Sequence, residues 1–401
     1  MSATGGVPAD GLNVDLNTAD IRAVICYVEA GSNEYNGQLG ARISALFVVL
    51  FVSSAATFFP VMATRVSRMH IPLYVYLFAR YFGAGVIVAT AFIHLLDPAY
   101  DEIGPATCVG MTGGWAEFSW PPAIALASCM IIFLMDFMAE RYVEAKYGMP
   151  HGTPTDATDV TKQRAGSVDA AMLRYTLSHT AGNGHENHQN LHSGEVDRPM
   201  PSPSVRDVVG NEKTFSEDTE SLDTEMAVET SFRQQIAAFL ILEFGVIFHS
   251  VIIGLTLATA GDEFSSLYPI RINLTLFVVV FHQSFEGLGI GARLSAIPFP
   301  KRLSWMPWVL CAAYGLTTPI AIAIGLGVRT TYNPASMTAN IVSGVLDATS
   351  AGILLYTGLV ELLARDFLFN PNRTRDNRQL TFMMVSVFLG AGIMALLGKW
   401  A

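Results

Sequence analysis

The sequence predicts an all-α polytopic membrane protein of eight transmembrane helices, with a long disordered loop between the third and fourth. Three observations carry this. Hydrophobic residues make up 51% of the 401 and charged residues only 14%, too few charges to keep a protein of this size in water. The apolar residues fall into blocks of about 20, enough to cross a ~30 Å hydrocarbon core as helices. Lastly, the formal charge of −10 is concentrated in the N-terminal tail and one long connection, which leaves the apolar blocks almost uncharged.

Residues 1–40 form an acidic tail with Asp10, Asp15, Asp20, Glu29 and Glu34, without a basic segment leading into an apolar one, so no cleaved signal peptide is expected. The spans read as 43–64, 71–96 and 121–143, within a first membrane unit of 41–146. A second unit, 231–401, carries 234–259, 270–291, 305–328, 340–363 and 380–398. Basic residues set the orientation. Arg65, Arg68, Arg141, Lys146, Arg233, Arg293, Lys301, Arg302, Arg365, Arg373, Arg375 and Arg378 fall on one side of this pattern. Arg22, Arg42, Arg271, Arg329 and Lys399 fall on the other. The richer side is cytosolic, which leaves both termini extracytosolic.

Residues 147–230 fill with Ser, Thr, Asp, Glu, Pro and His and bury too little apolar surface to offset the entropy of ordering them. A disordered cytosolic loop is expected there. His179, His185, His188 and His192 lie within fourteen residues of it, joined by His151, and flexible histidine tracts of this kind hold transition metals loosely. Cys26 and Cys108 lie in polar stretches flanking the first helices and pair as a disulfide if both face an oxidising compartment. Cys129 and Cys311 sit inside apolar spans as packing residues.

Ionisable groups inside a bilayer cost several kcal/mol and are usually functional. The fifth span contains His282, Gln283 and Glu286. On a helix, His282 and Glu286 are i and i+4 and lie one above the other on one face. The fourth span supplies His249 and Ser250 at similar depth. Imidazole nitrogen and carboxylate oxygen together suit Zn, Fe or Mn, whereas an all-oxygen site suits Ca or Mg. His249, His282 and Glu286 are therefore the expected ligands of a transported ion, with Ser250 and Gln283 lining a second, weaker position. Glu243 is rotated about 240° from His249 and should line another part of the pathway or pair structurally. His94, Asp97 and Asp101, with Glu102, gather at the outer end of the second helix, where acidic groups would collect cations. Arg80 and Asp136, deep in the second and third spans, could pair with each other, with Glu361 or with a lipid headgroup by snorkelling, and a structural ion pair is favoured over a transport role.

These motifs resemble the ZIP (Zrt/Irt-like) family of divalent-cation transporters, most of all its fungal plasma-membrane zinc uptake members. The resemblance rests on Glu243-Phe-Gly-Val-Ile-Phe-His249-Ser250 with Gly254, and on His282-Gln283-Ser-Phe-Glu286-Gly287. Tyr35-Asn36-Gly37, Thr90 to Leu96 and Leu346-Asp347-Ala-Thr-Ser-Ala-Gly352 support it. It implies eight helices, extracytosolic termini, a variable histidine-bearing loop and a binuclear site between helices four and five. Ser250 and Gln283 fall where some relatives place second-site ligands. Some relatives also carry a glutamate where this chain has Ile253, so a weak or absent second site is expected.

The function expected is transport of Zn²⁺ into the cytosol at the plasma membrane, with Fe²⁺ and Mn²⁺ as alternative cargo. The expected partners are divalent cations and the lipid bilayer, a homodimer is left open, and the acidic balance argues against nucleic acid. No cofactor is expected. An intramembrane zinc hydrolase using the same three ligands is the competing class.

Overall fold

The structure, a computed structural model, describes Val24, Cys26, Tyr35 and residues 37–66, 71–147, 212–259, 274–370 and 373–400. Among these it is all helical, with eight long helices: α1 Leu39–Arg65, α2 Leu73–Ile103, α3 Trp120–Tyr147, α4 Glu212–Thr259, α5 Leu274–Ala296, α6 Met306–Val328, α7 Met337–Phe369 and α8 Asn377–Leu397. Six of them, all but α5 and α7, are long and apolar enough to cross a membrane by length and composition. The other two break their apolar runs with the residues of interest, His282 to Glu286 in α5 and Asp347 to Ser350 in α7.

Several helix ends differ from the sequence reading. The second helix does not stop at Leu96. It passes through a π-helical stretch, Thr90–Leu96, and resumes as α-helix over Asp97–Ile103. Pro98 is tolerated because it falls in the first turn of the resumed helix, where its missing N–H costs no α-helical bond. A second π-helical stretch, Thr357–Phe369, extends α7 beyond Tyr356. The fourth helix starts at Glu212, inside the stretch expected to lack structure. Once the apolar part of a helix is nucleated, each further residue adds one hydrogen bond at little cost, and a segment with five glutamates, good helix formers, over 212–230 continues it. The loop histidines His151, His179, His185, His188 and His192 lie outside the described residues.

Local chemistry sets the starts of α7 and α8. The Ser336 side chain accepts from the Ala339 N–H, and Asp376 from the Arg378 N–H, each satisfying one donor that the first turn leaves open. Helix α1 packs on α5 and α6, α4 on α6 and α7, α2 on α8 and α5, and α3 on α7. Closest approach is between α2 and α5, where a Cβ built on Gly83 would stand 2.2 Å from the Gly289 Cα. Only glycine on both helices permits that contact. One core, including Val61, Ile87, Ile132, Phe239, Ile290, Tyr314 and Leu354, joins seven helices, α1 to α7. On α3, Leu126, Ile131, Phe133, Leu134 and Phe137 are exposed, as suits a helix at the lipid boundary.

Two ionic arrangements, one buried and one partly exposed, tie the helices together, and the pairing differs from the one expected. Arg80 Nη2 is 2.7 Å from Asp366 Oδ2, on the π-helical extension of α7. Asp136 instead accepts from the Tyr356 hydroxyl at 2.7 Å, and Glu361 pairs with Arg365 at 2.8 Å. Arg365 also reaches Glu140 at 3.1 Å. Spacing along the chain fixes how deep a charge lies but not which neighbouring helix carries its partner. The sulfurs of Cys26 and Cys108 are bonded, tying the N-terminal tail to the α2–α3 connection.

Candidate metal site

Helix α4 brings His249 against α5, where His282 and Glu286 occupy successive turns of one face. The Nε2 atoms of His249 and His282 lie 3.2 Å apart, so one imidazole donates and the other accepts. His282 Nε2 is 3.4 Å from Glu286 Oε2. One ligand atom from each of the three residues lies within 4.8 Å of the others, and the side chains are 3%, 2% and 1% exposed. Three convergent donors of mixed nitrogen and oxygen, shielded from solvent, suit a first-row divalent cation. Burying a carboxylate in a membrane interior costs roughly 2.5–3.5 kcal/mol even on insertion scales. A divalent cation held by Glu286 offsets that charge directly.

The surroundings add residues that the sequence reading missed. Tyr314 of α6 directs its hydroxyl to Gln283 Oε1 at 3.3 Å and to Glu286 Oε2 at 3.5 Å. A tyrosine in the middle of an apolar span was the available signal, since a buried phenol normally finds a partner. Gln283 Nε2, Ser250 Oγ and Glu286 Oε1 are buried without partners among the described residues, so donor capacity beside the three ligands is unspent. His94, from the π-helical part of α2, stacks edge-on against His282 with ring centroids 4.7 Å apart, while its Nε2 bonds the Met394 carbonyl at 3.1 Å. It is thus beside the site rather than at an outer mouth, because the helix continues beyond it.

The acidic cluster at the end of α2 divides. Asp97 and Asp101 are exposed and do not join the three ligands. Glu102 turns inward against α7, where a Cβ on Gly344 would stand 3.2 Å from the Glu102 Cβ. One turn along α7, Asp347 is 3% exposed with an unpartnered Oδ1. Glu243 is buried and neither of its oxygens has a partner among the described residues, so the structural pairing weighed for it from sequence does not occur there.

Comparison with known proteins identifies the family. The family model described as ZIP Zinc transporter matches residues 39–398. Zinc-regulated transporter 1 of Saccharomyces cerevisiae is 57% identical over 371 residues, covering 92% of this chain and 90% of that protein. Zinc-regulated transporter 1 of Schizosaccharomyces pombe is 40% identical over 92% of this chain and 88% of its own length. Zinc-regulated transporter 2 of Saccharomyces cerevisiae is 35% identical over 97% of this chain and all of its own length. A match across nearly the whole chain, to relatives of nearly the same length, establishes that the chain belongs to the ZIP family of zinc transporters.

Proposed function

We propose that this chain carries Zn²⁺ across the plasma membrane into the cytosol and holds the ion midway by His249, His282 and Glu286. The observation that carries the proposal is the buried convergence of two imidazoles and one carboxylate within 4.8 Å between α4 and α5. A carrier needs a site that selects its ion yet lets it go, and mixed N/O ligands bind zinc less irrevocably than a closed thiolate cage. Membership of a transporter family leaves the hydrolase reading without support. Ser250 and Gln283 offer a weaker second position, and Glu243, His94, Asp97 and Asp101 line the route to and from the site.

Uptake, rather than export, is part of this proposal and is tested by direction of flux. The basic residues of the α1–α2, α3–α4, α5–α6 and α7–α8 connections support a cytosolic side for these and an outer side for both termini. The Cys26–Cys108 bond supports the same orientation, since disulfides persist in oxidising compartments. Histidines of the long loop would receive the ion on the cytosolic side. Fe²⁺ and Mn²⁺ share the ligand preferences of the site and remain candidate cargo, and a homodimer is the assembly to test for.

The deciding experiment is ⁶⁵Zn accumulation in cells lacking endogenous zinc importers, with Fe²⁺ and Mn²⁺ as competitors. Time-dependent accumulation that only zinc suppresses supports the proposal. Zinc that saturates at a fixed stoichiometry, or leaves preloaded cells, rejects it.

A further inference from the structure

The close contact of α2 with α5 brings two like charges together. Arg80 stands three residues before Gly83 and Arg293 four residues after Gly289, so each lies about one turn from the point where the helices touch. Both side chains line one cavity of about 10 Å³, roughly the room that a single water or monatomic ion takes. Asp366 of α7 is the carboxylate in its lining, and Ala84, Ile87 and Leu362 supply apolar wall. Asp366 Oδ2 accepts from Arg80 Nη2 at 2.7 Å and so meets one edge of that guanidinium. Arg80 is 9% exposed, yet its Nε and Nη1 have no hydrogen-bond partner among the described residues. The Tyr81 ring lies 5.7 Å from the guanidinium carbon, a contact through the ring face that takes up no N–H. The other acids of the neighbourhood, Glu361, Glu140 and Asp136, gather on Arg365 at 2.8, 3.1 and 3.9 Å and do not line the cavity.

We propose that this cavity between α2, α5 and α7 binds one small monovalent anion, chloride in ordinary salt, held by Arg80 Nε and Nη1 and by Arg293. Two guanidinium charges face one carboxylate, which leaves one positive charge uncompensated and N–H donors unspent. Both are costly away from water. A water molecule would satisfy the donors and leave the charge; a halide answers both. Guanidinium keeps its proton at any ordinary pH, so the charge is not relieved by titration. Phosphate, sulfate and a lipid headgroup are too large for a space of this size. The anion would fasten three helices where α5 ends, since Arg293 is in its last turn. The site stands apart from the zinc ligands, and Arg293 lies seven residues beyond Glu286.

The test uses the purified full-length chain in detergent, its melting followed as sodium chloride replaces sodium gluconate at constant ionic strength. The unaltered protein is expected to gain about 2–4 °C, saturating as one site does, to gain similarly from bromide and to gain nothing from sulfate. Arg293→Gln, which leaves the Arg80–Asp366 pair in place, is expected to lose the halide response. Equal melting of the unaltered protein in all these salts overturns the proposal, because the cavity then holds water. A response that sulfate reproduces, or that Arg293→Gln keeps, overturns it as well, because the halide then acts elsewhere. If Arg293→Gln does not fold, bromide decides. Anomalous diffraction from crystals of the unaltered protein grown in bromide is expected to show a peak beside Arg80 Nη1, and the absence of that peak overturns the site.

Discussion

His249 and His282 meet Nε2 to Nε2 at 3.2 Å across the contact of α4 with α5. Two ring nitrogens so close cannot both carry protons, because each would then be a donor with no acceptor between them. The arrangement is one that a cation completes. Replacing either imidazole removes one of three ligands, and His282→Ala or Glu286→Ala is expected to abolish ⁶⁵Zn accumulation while the protein still reaches the cell surface. Undiminished uptake by both variants would remove the site.

Metal binding to imidazole requires the neutral ring, so protons and zinc compete for the same nitrogens. Lower pH fills those nitrogens with protons. The zinc concentration for half-maximal uptake should therefore rise as the outside pH falls, with maximal flux changing less. Initial rates measured over a series of buffers decide this, and a half-saturation point independent of pH would contradict neutral imidazole ligation.

Tyr314 touches Gln283 and Glu286 through its hydroxyl alone, at 3.3 and 3.5 Å. Contacts this long sit at the weak end of the hydrogen-bond range, about 1 kcal/mol. Tyr314→Phe should thus weaken zinc affinity roughly fivefold and leave the fold intact, since the ring keeps its packing. Affinity by titration, alongside melting in detergent, separates the two effects.

The Arg80–Asp366 pair is buried on both sides. Removing one partner of such a pair leaves an uncompensated charge and typically costs about 3–5 kcal/mol, whereas replacing both with apolar residues can be neutral. Asp366→Asn and Arg80→Met should each lower thermal stability and surface delivery. The double variant Arg80→Met with Asp366→Leu should recover much of the loss. Equal damage from the double variant would mean that the pair carries more than stability.

Gly83 and Gly289 permit the backbones of α2 and α5 to touch. Gly289→Ala should push α5, with His282 and Glu286, away from His94 and depress uptake strongly. Gly327→Ala, at a position where a Cβ meets nothing within 4 Å, should not. Matched uptake by the two variants would show that the close contact is dispensable.

Much of this was legible in the sequence, for a physical reason. A bilayer admits few ionisable residues, so His249, His282 and Glu286 stood out against their apolar surroundings before any coordinates, and helical spacing alone placed His282 above Glu286. The apolar blocks likewise marked all eight helices. What depended on lateral neighbours was not legible. Arg80 was known to need a partner, but Asp366 became it only because α7 continues past Tyr356. The inward turn of Glu102 and the phenol of Tyr314 depend in the same way on which helix lies alongside, which no linear spacing encodes.

The π-helical stretch Thr90–Leu96 also governs how the second helix tolerates change in length. Wider turns there take up a surplus residue, so His94 and Glu102 are aimed by a register offset rather than by the regular winding on either side. Dropping one residue from this stretch would return it to regular winding and leave the side chains beyond it on their present faces. The same deletion in the regular turns on either side would swing everything beyond it by about 100° about the axis, trading which side chains look into the bundle and which look out at lipid.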